Sequence, residues 1–173
     1  LARIAALRRA LLTVFLVLGI SSVGQATPID VTIKPYPVIL AGFINSVYTA
    51  ATGAFTADGW TMSMDTGTGQ QSYFNNFQLR ANISNLGVAS GGSILVSDLS
   101  TGASLLSSVG LVNFGYDHVA GGALEFLFTP STGSLVSNTP DATRPFDAVL
   151  PLDVMFVGTT FTGNWSSNWS SSS

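Results

Sequence analysis

The chain has 173 residues, with 46% hydrophobic and only 9% charged side chains, 18 Gly and no Cys. That length supports one domain with a real core, and the missing cysteines exclude a disulfide framework, a thiolate nucleophile and a cysteine-held metal. Past the N-terminus no apolar run approaches the ~20 residues of a spanning helix, so the low charge belongs to a Ser-, Thr-, Asn- and Gly-rich chain built for turns and strand surfaces.

Residues 1–26 have the build of a secretory signal peptide. Arg3, Arg8 and Arg9 form a basic start, Ala10–Leu18 an apolar stretch, and Gly24-Gln25-Ala26 places small residues where a signal peptidase reads. A retained membrane anchor would need a longer stretch. The chain opens on Leu1, which points to an unusual start or an incomplete N-terminus. Removing the three arginines leaves Lys34, Arg80 and Arg144 against nine acidic residues, a net charge of −6. Such a surface repels phosphate backbones, so nucleic acid is excluded as a partner.

From residue 27 onward the pattern is strand and turn. Expected strands are 29–33, 36–41, 43–49, 53–57, 60–64, 77–83, 92–99, 104–116, 122–129, 148–157 and 159–165. Residues 36–51 also carry helical potential. Trp60, Met62 and Met64 alternate with Thr61 and Ser63, and Phe77, Leu79, Ala81 and Ile83 alternate with Gln78, Arg80 and Asn82. Both patterns put one face on a core, Trp60 included. Asp58-Gly59, Thr66-Gly67, Gly91-Gly92 and Gly121-Gly122 punctuate the strands, and 130–146, with Pro130, Pro140 and Pro145, reads as a long loop. The expected fold is an all-β antiparallel sandwich, jelly-roll-like, over residues 27–165, preceded by the signal-peptide helix. Residues 166–173 form a Ser-rich tail, a last strand fraying into a linker.

Several stretches together carry a resemblance: "GAFTADGWTM" at 53–62, "NFQLRANISNLGVASGGSILV" at 76–96, "SLLSSVGLVNFGY" at 104–116, "LEFLFTPSTGSL" at 124–135 and "FVGTTFTGNWSSNW" at 156–169. In texture and order they resemble the body of exported bacterial proteins of the PEP-CTERM class. The resemblance implies a signal peptide, a β-rich domain and a C-terminal Pro-Glu-Pro sorting signal that an exosortase processes. It also implies a setting among exopolysaccharide-producing, biofilm-forming bacteria. This chain reaches Ser173 without that signal, so the expectation is either truncation before it or release of the protein.

Three functional readings follow. The first is a non-enzymatic exported or surface protein of the extracellular matrix, with no catalytic, cofactor or metal residues and exopolysaccharide as partner. The second is a carbohydrate- or calcium-binding module. Trp60, Trp165, Trp169, Tyr73 and Tyr116 are the aromatics available for sugar stacking. Alternation places Trp60 in the core. Trp165 and Trp169, four apart and so on one face of an extended segment, are either exposed or taken up by core or tail packing, the expectation here. Asp58, Asp65, Asp98, Asp117 and Asp141 sit near expected turns, but no Asp-x-Asp-x-Asp spacing gathers them into a calcium loop. The third is a retropepsin-like protease. Asp65-Thr66-Gly67 copies its active-site loop, and Val154-Met155-Phe156-Val157-Gly158 could be its supporting segment. A single such loop needs a symmetric dimer to pair two carboxylates. Ser63 is polar where that loop's strand should be apolar, and the expected role of Asp65 is to cap a turn. His118, the sole histidine, has no Gly-x-Ser-x-Gly elbow to serve and reads as a turn residue. Asn82-Ile83-Ser84, Asn164-Trp165-Ser166 and Asn168-Trp169-Ser170 match a glycosylation pattern incidentally.

Overall fold

The computed structural model describes residues 37–172 except Thr66, Thr68 and Pro130. The signal peptide at 1–26 and the expected strand at 29–33 lie outside the described residues. Everything regular within them is β-strand, as the Gly-rich, alternating sequence requires. Five strands run as an antiparallel meander: β1 (Val38–Thr49), β2 (Ala54–Asp65), β3 (Gln70–Ile83), β4 (Ala89–Asp98) and β5 (Ser104–Ser108). The second sheet holds β6 (Leu111–Tyr116), β7 (Leu124–Phe128) and β10 (Leu152–Phe156), in the order β10-β7-β6. Between β7 and β10, β8 (Val136–Ser137) and β9 (Phe146–Asp147) form a short parallel ladder inside the expected loop at 130–146.

Several boundaries differ from the sequence pattern. Of the stretch 36–51 expected to have helical potential, the described residues 37–51 are not helical; most of them form β1, because the strand can pair with β2 along nearly its whole length. Expected strand 104–116 is broken at Val109-Gly110, where the chain leaves one sheet for the other. Residues 159–165 make only an isolated bridge, Ala120 with Thr162. Within the stretch expected as a last strand fraying into a tail, a strand extends through Ser172. Trp169–Ser172 forms β11, paired with Asn45–Tyr48 of β1 as the outermost strand of the large sheet. Trp169 drives this, since its ring is buried against Phe55 and Phe161.

The two sheets meet over aromatic rings. Phe126 of β7 lies 5.2 Å from Phe55 of β2, and Phe156 of β10 lies 6.3 Å from Phe77 of β3. Beside them Trp165 is packed by Tyr48 at 4.8 Å and Phe161 at 4.7 Å. The Tyr48 hydroxyl donates to the carbonyls of Ile83 and Trp165, so this buried polar atom also ties the C-terminal segment to the large sheet. Polar turns close the meander. In the β4–β5 turn, Asp98 accepts hydrogen bonds from the amides of Ser100 and Thr101 and from both of their hydroxyls. These four donors favour the ionised form and hold its carboxyl down at about 2.

Candidate functional site

The motif residues end up apart. Asp65 closes β2, half-buried, and its carboxylate accepts the Gly67 amide at 2.8 Å. Gly67 has φ of 86°, which a side chain resists, so the segment turns as a hairpin connection does. Asp65→Asn retains an acceptor for that amide and should change unfolding stability by less than ~1 kcal/mol in urea titration. Of the other aspartates expected near turns, Asp58 lies instead in the middle of β2, where it pairs with Arg80, whereas Asp117 accepts the Ala123 amide and Asp141 accepts the amides of Thr143 and Arg144. Each is spent locally, and among the described residues no three His, Cys, Asp or Glu side chains gather to hold a metal. His118 lies in a bend with its ring 4.4 Å from that of Tyr116.

The aromatic residues are distributed differently from the expectation. Trp165 and Trp169 are buried, as core packing requires, whereas Trp60 is 51% exposed. The cause is the phase of β2: Phe55, Ala57 and Thr61 face the core, so Trp60 and Met62 face out. A bulge between Thr61 and Ser63 then shifts the in–out alternation by one residue and brings Met64 in.

Next to Trp60, β1 carries its own irregularity. Its register slips between Gly42 and Asn45, and Phe43 there has φ of 53°. It is the sole non-glycine residue with positive φ among the described residues. A bulky side chain in that region is a genuine outlier, and here it is 71% exposed. Its ring meets Trp60 edge-on, with centroids 6.1 Å apart and planes at 61°. A Cβ on Gly59 would lie 2.8 Å from the Phe43 carbonyl oxygen and 2.9 Å from the Ile44 Cα, so a glycine lets β1 lie this close. So the irregularity in β1 and the close approach at Gly59 build an exposed aromatic corner on the outer face of the large sheet.

Polar groups flank the corner. Asn76 sits directly across from Trp60 on β3, and Gln78 across from Asp58. Together with Phe43 and Trp60 they line a shallow depression of about 300 Å³. The Arg80 guanidinium donates to Asp58 Oδ1 at 2.6 Å and to the Leu79 carbonyl at 2.9 Å. The corner thus joins apolar faces to amides and a carboxylate at their edge, the composition of a site for a ligand with one apolar and one hydroxylated aspect.

A second concavity, of about 560 Å³, opens between the start of β1 and β10, floored by Ile44, Phe77, Val96 and Leu106. Asp153 lies on its β10 side. No hydrogen bond of ordinary geometry reaches either of its buried carboxylate oxygens. Burial, and then the charge of Glu125 on the neighbouring strand, push its carboxyl up to about 6, an effect the nearby Val154 amide offsets only in part.

Among the described residues no helix is long and apolar enough to cross a membrane. The chain matches no protein-family model, no curated protein and no solved structure.

Proposed function

We propose that this chain is an exported, non-catalytic β-sandwich that binds polysaccharide in the extracellular matrix of a biofilm-forming bacterium, with the Phe43–Trp60 corner as its binding site. The observation that carries the reading is the cost of the corner. An aromatic residue held at positive φ and left exposed stabilises nothing in the core, and such local strain clusters where a site is being shaped. Exposed aromatic rings bordered by amides and a carboxylate suit a sugar, whose C–H face is apolar and whose rim is hydroxyl. The build of residues 1–26 supports export, and the resemblance to PEP-CTERM proteins supports the matrix setting, with an exosortase as partner wherever a sorting signal accompanies the chain. The turn-capping role of Asp65 favours this reading over a protease.

Affinity electrophoresis of the full chain in gels containing soluble polysaccharides tests it. Mobility should fall as polymer concentration rises. Trp60→Ala should weaken binding at least about tenfold, the loss expected of an aromatic anchor, and should leave the thermal midpoint nearly unchanged because the ring is half in solvent. Absence of retardation by every polymer, or retardation indifferent to Trp60→Ala, sinks the reading.

A further inference from the structure

We infer, resting on the polysaccharide reading above, that the corner selects single, soluble chains of a neutral polysaccharide and rejects both crystalline polymer faces and polyanions. Ring geometry gives the first half. A crystalline surface is flat, so it is bound by aromatic rings lying in one plane. Phe43 and Trp60 stand at 61° to each other, and a flat surface cannot lie on both. Both residues help to line a shallow depression of about 300 Å³, at the small end of the range for ligand sites. It admits a chain segment that can turn one sugar onto the indole face and present its rim hydroxyls to Asn76, Gln78 and Asp58.

Charge gives the second half. A uronate or sulfate group needs a cation with free donors. Arg80 is the basic residue on these strands, and its charge is paired with Asp58 at 2.6 Å, while its Nη1 donates to the Leu79 carbonyl and, at 3.4 Å, to the Ala57 carbonyl. The described residues carry two basic against eight acidic side chains. A polyanion approaching this surface meets repulsion over roughly a Debye length, and the one nearby cation, Arg80, is already neutralised by Asp58. The carboxylate and amides at the rim remain serviceable for hydroxyls, which both donate and accept.

Three polymers separate the possibilities, with the full chain as the protein: hydroxyethylcellulose as the neutral soluble chain, alginate as the polyanion and microcrystalline cellulose as the flat solid. We expect half-maximal retardation at a hydroxyethylcellulose concentration at least tenfold lower than for alginate, little change between low and moderate salt, and no depletion by the crystalline solid. Tighter binding to alginate, or depletion by the crystalline solid comparable to soluble binding, overturns the inference while leaving polysaccharide binding intact. No binding to any of the three overturns both.

Phe43→Gly supplies the control for folding. Glycine accepts φ of 53° without strain, so the thermal midpoint should hold or rise while affinity for hydroxyethylcellulose falls about tenfold. Unchanged affinity in this folded variant would remove Phe43 from the site and with it the argument from ring geometry.

Discussion

Phe126→Ala should lower the unfolding free energy by about 3–5 kcal/mol, the usual cost of removing a fully buried ring. Phe126 has no exposed surface and occupies the middle of β7, itself the middle strand of the small sheet. Its direct neighbours on the two flanking strands are Val154 and Phe114. Its ring lies 4.8 Å from that of Phe114, 5.2 Å from Phe55 and 5.8 Å from Phe156. Those neighbours sit on three paired strands in two sheets, so none can move into the void without breaking a ladder. The cavity therefore persists, and its volume adds to the lost transfer energy. Urea unfolding followed by tryptophan fluorescence measures the effect, since Trp165 and Trp169 lie in the same core. Phe74→Ala is the internal comparison. That ring is 63% exposed, and its removal should move stability by no more than about 0.5 kcal/mol. Equal losses from the two substitutions would mean that the sheets do not pack as described.

The fold was legible because period-two alternation and turn residues are local signals. Phe77, Leu79, Ala81 and Ile83 do face the core together, and Asp98 and Asp65 do close turns. What escaped were the places where one extra residue shifts the count. Read forward from Trp60, the pattern puts Trp60, Met62 and Met64 on one side. Read forward from Phe55 and Ala57, it puts Trp60 outside. Both sequence patterns are sound, and a bulge between Thr61 and Ser63 reconciles them. That conflict between two registers was the available signal for the corner. Phe43 offered no such signal, because nothing in a strand of apolar residues marks which one will take a positive φ. The C-terminal strand was hidden by composition. Serines suggest a tail, yet their alternation with Trp169 buries Ser171 beneath the sheet and leaves Ser170 and Ser172 outside. Asp153 and Glu125 were invisible for a different reason. On isolated strands each reads as an outward charge, and only the pairing of β7 with β10 makes them neighbours.

That acidic pair gives the protein a pH dependence with a definite sign. In the unfolded chain Asp153 titrates near the ordinary 3.8, and in the fold near 6. Below about pH 4 it is protonated in both states and contributes nothing. Between about 4 and 6 the folded state keeps a proton that the unfolded chain has released, so stability falls as pH rises. Above 6 the full penalty for the ionised carboxylate is present. A shift of about two units corresponds to roughly 3 kcal/mol, and partial solvent access reduces this to about 1–2 kcal/mol. Asp153→Asn keeps the shape and removes the charge. It should therefore stabilise the fold at pH 7.5 and leave it nearly unchanged at pH 4, with the difference between variant and parent growing through the interval from 4 to 6. Asp98 and Asp141 do not confuse the measurement. Their carboxyls are held near 2 by hydrogen bonds, so the stability they give is lost only as pH falls below 4. Thermal unfolding of both proteins across pH 4–8 reads the effect directly. A stabilisation of the variant that is constant over that range would show that Asp153 carries no buried charge to relieve.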